Sequence, residues 1–151
     1  MMAAPDFQEL PGNHLYSVIK ATQTYVVLDT GATETAAGLQ QADDLIRALR
    51  EFDEIWVEVS RDQLPWFKFG DGKWLQAVSR LLIQKKNSSQ YLENLTLYTL
   101  DAECPVLIGS KTLKDWEAKI CYKTDTLEVL GKPYKLLVTP NGHRLFDLSQ
   151  I

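Results

Sequence analysis

The sequence contains few of the residues that build metal sites and disulfide frameworks. Its 151 residues include 2 cysteines and 2 histidines. Cys104 and Cys121 lie far apart in the sequence and form no Cys-x-x-Cys pair, so a zinc motif is not indicated. We therefore expect two reduced thiols, no metal site and no cofactor.

Long apolar runs and basic segments are also missing. No run approaches the roughly 18 apolar residues that a membrane span needs. Residues 1–15 lack the basic start and apolar stretch of a secretory signal. The formal net charge of -4 argues against nucleic acid as the main partner. We expect an intracellular, cytoplasmic protein, on its own or within a larger polyprotein, that binds neither membrane nor nucleic acid.

The composition that remains fits one globular domain over residues 1–151, with a core at about 15–148. The chain is 45% hydrophobic and 24% charged, and its length suffices to bury a core without disulfides. Strand patterns dominate. They predict a hairpin of 15–19 with 24–28, a strand at 54–60, and a terminal hairpin that turns at 140–142. The fold class we predict is mainly β.

Two segments depart from the strand pattern. In residues 38–52, apolar residues recur at helical spacing and predict one buried helix face. These residues are Leu39, Ala42, Leu45, Ile46, Leu49 and Phe52. A second, shorter helix is predicted to begin near Ser110. A polar loop is expected from Lys85 to Gln90.

A hairpin is also predicted where two strand-like arms flank Gly70-Asp71-Gly72, because glycines supply the positive φ of a tight turn. The chain's four tryptophans, two of them on these arms, are expected to pack in the core or on the hairpin. They are Trp56, Trp66, Trp74 and Trp116. His143 is expected to face solvent in the terminal hairpin.

An unusual feature is the acid that ends the apolar strand Tyr25–Leu28. Asp29 is followed by Thr30, Gly31 and Ala32. Burying a carboxylate without partners is costly, so its position requires a reason. A carboxylate in a backbone loop can activate water for attack on a peptide carbonyl when a second carboxylate shares its proton. A strand that simply ends in an Asp-Gly type of turn is the structural alternative.

Three motifs in this order resemble the retropepsin-like aspartic proteases, particularly those of retrotransposon polyproteins. The motifs are "VVLDTGAT" at the acidic loop, "FKFGDGKW" at the glycine hairpin and "CPVLIGSKTL" before the second helix. The terminal hairpin is similar to the one that ends many transposon members. The resemblance implies a closed, barrel-like β fold with one short helix in the C-terminal half. The helix at 38–52 is then an insertion, packed as a surface helix on the sheet.

The resemblance also implies a role for each matching residue. Asp29 would be the catalytic carboxylate, and Thr30 and Gly31 would build its loop. The expected substrate-binding residues are Ala32, Thr33, Phe69, Gly70, Asp71, Gly72, Lys73, Leu107 and Ile108. Phe69 to Lys73 would form the tip of a flap over the substrate, and Leu107 and Ile108 would line the pocket below it.

The chain departs from the viral pattern at one pair of positions. An acid often follows Asp-Thr-Gly-Ala there, and an arginine often follows the glycine of the third motif, and the two form an ion pair. Thr33 and Ser110 occupy those positions here. Because both charges are missing together, we expect a replaced contact.

The sequence supplies one catalytic loop. Asp101, Asp125 and Asp147 are not followed by the Thr-Gly or Ser-Gly that a second loop needs. A homodimer with Asp29 facing Asp29 across a two-fold axis would complete the site, and terminal strand edges could join the subunits. The expected function is an aspartic endopeptidase that hydrolyses a polypeptide, with polyprotein processing as its role.

Two other interpretations stay open. One is a retropepsin-like dimer that has lost proteolysis and binds peptides or proteins. The other is a monomeric structural β domain in which Asp29 is only a turn residue.

Overall fold

The computed structural model describes residues 24–69, 71–86 and 94–151. In these ranges the chain is mainly β, as predicted. The strands are β1 (Tyr25–Leu28), β2 (Ala36–Gly38), β3 (Ile55–Ser60), β4 (Trp66–Lys68), β5 (Trp74–Gln76), β6 (Ser79–Lys85), β7 (Leu95–Leu100), β8 (Leu107–Ile108), β9 (Lys119–Cys121), β10 (Thr126–Val129), β11 (Lys132–Lys135), β12 (Leu137–Val138) and β13 (Arg144–Asp147). The helices are α1 (Leu39–Leu49) and α2 (Ser110–Asp115), with a 3-10 turn at Leu148–Gln150. The predicted strand at 15–19 lies outside the described residues.

The main sheet has eight strands in the order β12-β13-β1-β8-β2-β7-β6-β3. β1 lies inside it, parallel to β8 and antiparallel to β13. This position explains the apolar run before Asp29, since Val26 and Val27 are buried on opposite faces of an interior strand. The predicted terminal hairpin is confirmed as β12 and β13.

The prediction of a closed barrel is wrong for the part of the chain that the structure describes. β12 and β3 are the two edges of an open sheet there. The remaining strands form separate sheets, because β9, β10 and β11 pair with one another and β4 pairs with β5. No described strand is therefore available to join the two edges.

Helix α1 confirms the helical pattern except at the two ends of the predicted face. Its buried residues follow the predicted face from Ala42 to Leu49, and Leu39 is 43% exposed. The helix ends at Leu49, and the amides of Phe52 and Asp53 both donate to the Leu49 carbonyl. This tight turn reverses the chain, and Phe52 is consequently 65% exposed instead of packed on the helix face. Neither α-helix in the described ranges is long and apolar enough to cross a bilayer.

The core joins α1, the main sheet and the three-stranded sheet. Phe146 of β13 is fully buried and packs edge-on against Trp116 and Tyr134, with ring centroids 6.0 and 5.5 Å away. Leu127 and Val129 of β10 belong to the same cluster. The three-stranded sheet therefore packs on the main sheet at β13, the strand that pairs with β1.

The polar loop predicted from Lys85 is wrong at its first residue. Lys85 is the last residue of β6 and is only 8% exposed. Its ammonium group donates to the Ile151 carbonyl and lies 4.0 Å from an Asp53 carboxylate oxygen. Burial lowers the Lys85 pKa below its ordinary value, against the opposing charges of Asp53 and Asp147. Residues 87–90 of the predicted loop lie outside the described ranges.

Candidate active site

Asp29 is fixed where β1 leaves the sheet. Its amide donates to the Ile108 carbonyl of β8 at 2.9 Å, which extends the parallel ladder by one bond. Its own carbonyl accepts the Ala32 amide at 3.1 Å and closes a turn over Thr30 and Gly31. Thr30 and Gly31 are exposed, whereas Ala32 is 1% exposed. The side chain of Asp29 is therefore carried at the base of a short protruding loop.

The two carboxylate oxygens of Asp29 have different surroundings. Oδ1 accepts the Gly31 amide at 3.1 Å. Oδ2 is buried and has no hydrogen-bond partner in the described residues. Burial raises the Asp29 pKa above its ordinary value, while the Gly31 and Ala32 amides and the charge of His143 oppose the increase. The protonated form of this carboxyl is thus favoured more than in an exposed aspartate.

His143 lies close to Asp29, which the sequence did not reveal. It lies in the terminal hairpin, as predicted, and its side chain is partly buried. Its amide donates to Thr139 Oγ1 at 3.0 Å within the β12–β13 connection. β13 pairs with β1 so that Arg144 lies opposite Leu28, and this register brings His143 close to Asp29.

A cysteine nucleophile is disfavoured at this site. Cys104 is the buried one of the two thiols, and it is 1% exposed. Burial, together with the negative charge of Asp29, raises the Cys104 pKa to about 12. A thiol with this pKa stays protonated at neutral pH, so Cys104 is a poor nucleophile.

The loop after Asp29 is bonded to the start of α2. The Ser110 amide donates to the Ala32 carbonyl at 2.7 Å, and the Lys111 amide donates to the Thr33 carbonyl at 3.1 Å. The Gly109 amide donates to Thr35 Oγ1 at 3.0 Å. These bonds hold the predicted first and third motifs together as one unit.

The ion pair that is missing at Thr33 and Ser110 is replaced by an ion pair between the next residue of each segment, Glu34 and Lys111. Glu34 Oε1 lies 2.5 Å from the Lys111 ammonium. The hydrogen bond and the charge of Glu34 raise the Lys111 pKa. Thr33 and Ser110 themselves are exposed and make only backbone contacts between the two segments. The contact that the resemblance led us to expect is therefore present at shifted positions.

Thr35→Val is expected to destabilise the protein by about 1–3 kcal/mol, because it leaves the buried Gly109 amide without an acceptor. Thr35 Oγ1 also shares a hydrogen bond of 2.6 Å with Thr112 Oγ1. Thr112→Val is the matched control, since it removes that bond and keeps the Gly109 bond. Urea unfolding should give the larger loss for Thr35→Val, and equal losses would contradict the importance of the Gly109 bond.

The glycine hairpin is confirmed as β4 and β5, with a defined tip. Phe69 and Lys73 close the turn through a bond of 2.9 Å from the Phe69 amide to the Lys73 carbonyl. The Lys73 amide donates to Asp71 Oδ1 at 2.9 Å. Gly72 has φ of 84°, in the left-handed region. Gly70 lies outside the described residues.

The inner face of the hairpin packs near the Asp29 loop. Phe67 is 4% exposed and clusters with Ala36 and Leu100. Its ring lies 6.1 Å from that of Tyr98. Because Ala36 begins the strand that follows the Asp29 loop, this packing places the base of the hairpin beside that loop.

The outer face of the hairpin carries tryptophans that the sequence assigned to packing. Trp66 and Trp74 are each 59% exposed, and Trp56 of β3 is 57% exposed. Only Trp116 is buried, so the packing prediction is wrong for Trp56, whereas Trp66 and Trp74 lie on the hairpin, one of the two places predicted for them. The Lys68 ammonium lies 5.8 Å from the centre of the Trp74 ring on this outer face.

Gly72→Val is expected to lower peptide hydrolysis without unfolding the domain. The added Cβ would meet no atom within 4 Å, so the change introduces backbone strain alone. The strain would distort the tip and hinder its opening and closing. Gly131→Val is the matched control, because Gly131 has a φ of 87° and equally open surroundings. Kinetics that change equally in both variants would argue against a flap at this position.

The structure brings the first and third motifs together and leaves the pocket assignment of two residues as a prediction. Leu107 and Ile108 form β8 beside β1, and both are 0% exposed. Within the described ranges, no group of three or more His, Cys, Asp or Glu side chains could hold a metal ion.

Comparison with known proteins adds no family assignment. No protein-family model matches the chain. No curated protein matches it with significant similarity.

Proposed function

We propose that this chain is one half of a homodimeric, retropepsin-like aspartic endopeptidase. Its substrate would be a polypeptide, and processing of a retroelement polyprotein would be its role. The observation that carries the proposal is Asp29, which is held in a backbone-bonded loop with one carboxylate oxygen buried and without a partner in the described residues. A second carboxyl group from the partner subunit would supply the missing hydrogen bond.

The arrangement of strands around Asp29 supports a retropepsin-like fold. β1 and β8 run parallel, Asp29 and Gly109 follow them directly, and α2 begins at the next residue. The two motifs bond to each other through Ala32, Thr33 and Thr35.

Two copies of Asp29 would divide the chemistry between them. Two adjacent carboxyl groups cannot easily both ionise, so one stays protonated. The protonated carboxyl would donate to the substrate carbonyl oxygen, while the ionised one takes a proton from the attacking water. Formation of the water–carbon bond and protonation of the leaving amine then break the peptide bond. Burial of Asp29 favours this shared proton because it already raises the pKa of one carboxyl.

The other predicted residues would position the substrate. Thr30 and Gly31 are exposed at the tip of the loop, where two loops could meet. Ala32 and Thr33 would border the substrate backbone. Phe69, Asp71, Gly72 and Lys73 would close over it as the hairpin tip. The buried contact of Phe67 with Ala36 would anchor that hairpin.

Sedimentation velocity combined with a peptide-library digest tests the proposal. We expect dimers at micromolar concentration, more dimer when a hydroxyethylene peptide inhibitor is added, and cleavage products in the digest. A strict monomer that cleaves peptides would contradict the shared site. A dimer that binds the inhibitor and cleaves no peptide in the library would identify a binding module. A monomer indifferent to the inhibitor and inactive would identify a structural domain.

A further inference from the structure

Strand β3 forms an unpaired edge on the far side of the main sheet from β12. All six of its residues pair with β6, from Ile55 opposite Lys85 to Ser60 opposite Arg80. The described residues place no strand along its other side. Alternate backbone amide and carbonyl groups of an antiparallel edge strand point away from the sheet, so β3 presents hydrogen-bonding groups in strand geometry.

The edge lacks the features with which proteins usually block further pairing. β3 contains neither proline nor lysine, and Glu58 is its one charged residue. Trp56 is 57% exposed and Val59 is 50% exposed. An exposed edge strand that is long, apolar and carries little charge is a template for pairing with another strand.

A groove of about 330 Å³ runs between β3 and helix α1. Its apolar lining includes Leu39, Ile46, Val57 and Val59. Val57 and Val59 lie on the same face of β3, because side chains two residues apart in a strand share a face. A strand added at this edge would therefore present every second side chain on the sheet face where the groove lies.

Positive charge borders the groove on both sides. Arg50 at the end of α1 and Arg61 directly after β3 line it, and neither has an ion-pair partner in the described residues. The one acid in the lining, Asp43, is held by Arg47 at 2.9 Å. The two arginines therefore favour an acidic ligand.

We propose that β3 binds an extended, acidic segment of a partner protein as an additional strand. The partner backbone pairs with the open side of β3, its apolar side chains enter the α1 groove, and its carboxylates pair with Arg50 and Arg61. This site is separate from the Asp29 loop, and the proposal does not depend on proteolysis.

The test uses a fluorescein-labelled peptide, Glu-Thr-Val-Thr-Val-Thr-Glu, whose glutamates and valines share one strand face. Fluorescence anisotropy with the full chain should show saturable binding. A peptide of the same composition with adjacent valines should bind at least about tenfold more weakly, because it breaks the alternation. Equal binding of the two peptides, or none, would overturn the proposal.

Variants locate the peptide on the edge. Val59→Lys and Arg61→Glu should each weaken binding about tenfold or more. Val138→Lys, on the other edge strand, and Lys119→Glu, on the small sheet, are matched controls that should leave it unchanged. If the controls weaken binding as much as the test variants do, the peptide binds elsewhere and the proposal fails.

Hydrogen exchange and sedimentation show whether another segment of this chain, or a second copy of it, occupies the β3 edge instead of a partner protein. Outward amides of β3 should exchange fast in the free protein and slow down with the peptide. Slow exchange in the free monomer would mean that another segment of this chain already occupies the edge. A dimer that the peptide dissociates would identify a second copy as the occupant. Either result would overturn the proposal.

Discussion

Asp29→Asn should abolish peptide hydrolysis while leaving the fold and the dimer intact. Asparagine nearly keeps the shape of the side chain, and its amide oxygen can still accept the Gly31 amide that now bonds to Oδ1. It can neither take a proton from water nor share one with a second carboxyl. We expect activity to fall to the detection limit in an assay of peptide hydrolysis. Full activity in a correctly folded variant would refute the mechanism.

The pH dependence of the proposed hydrolysis by the wild-type protein gives a second readout of the same group. Two coupled carboxyls titrate as a pair, so kcat/KM should follow a bell-shaped curve with its maximum on the acidic side of neutral. Circular dichroism at each pH separates loss of chemistry from loss of fold. A flat profile across the acidic range would argue against the shared proton.

Asp29→Asn should also raise stability near neutral pH. The folded-state pKa of Asp29 is raised above 3.8, chiefly by burial. Between the unfolded and folded pKa values, the folded state binds more protons, so stability is lost as pH rises through the folded pKa. The variant does not titrate here and avoids this loss. Urea unfolding should therefore show a gain above the folded pKa that disappears below the unfolded one.

The sequence pattern predicted those parts of the site whose structure depends on residues that are close together in the sequence. An apolar strand ending in an acid places Asp29 where β1 leaves the sheet, because an interior strand needs apolar residues on both faces. Glycines bracketing Asp71 predicted the hairpin turn, and one turn needs no distant partner. The amphipathic period predicted α1 for the same reason.

Contacts between distant segments could not be predicted in this way. The pairing of Glu34 with Lys111 depends on how two loops pack, and a shift of one residue along each preserves it. The proximity of His143 to Asp29 follows from the register of β13 on β1. The exposure of Phe52 depends on a turn that the helical period does not encode. The open sheet likewise follows from strand partners, which periodicity does not specify.

Gly109→Ala should be among the most damaging single substitutions in the chain. Gly109 has a φ of -86°, which alanine can also adopt. Glycine is needed here because the neighbouring backbone leaves no space for a Cβ atom. An added Cβ would lie 2.5 Å from the Glu34 carbonyl oxygen and 2.8 Å from the Thr33 carbonyl oxygen. Both are backbone atoms and cannot rotate away. We expect a loss of about 3 kcal/mol or more in the free energy of unfolding.

The damage from Gly109→Ala should also reach the chemistry, since the clash separates the catalytic loop from α2. The amide of Gly109 would move away from Thr35, and the bonds from α2 to Ala32 and Thr33 would lengthen. Gly131→Ala is the control, because it adds strain of about 1–2 kcal/mol in a turn with open surroundings. Urea unfolding and peptide hydrolysis should both be affected more by Gly109→Ala. Wild-type kinetics in folded Gly109→Ala protein would mean that the position of the catalytic loop does not depend on this contact.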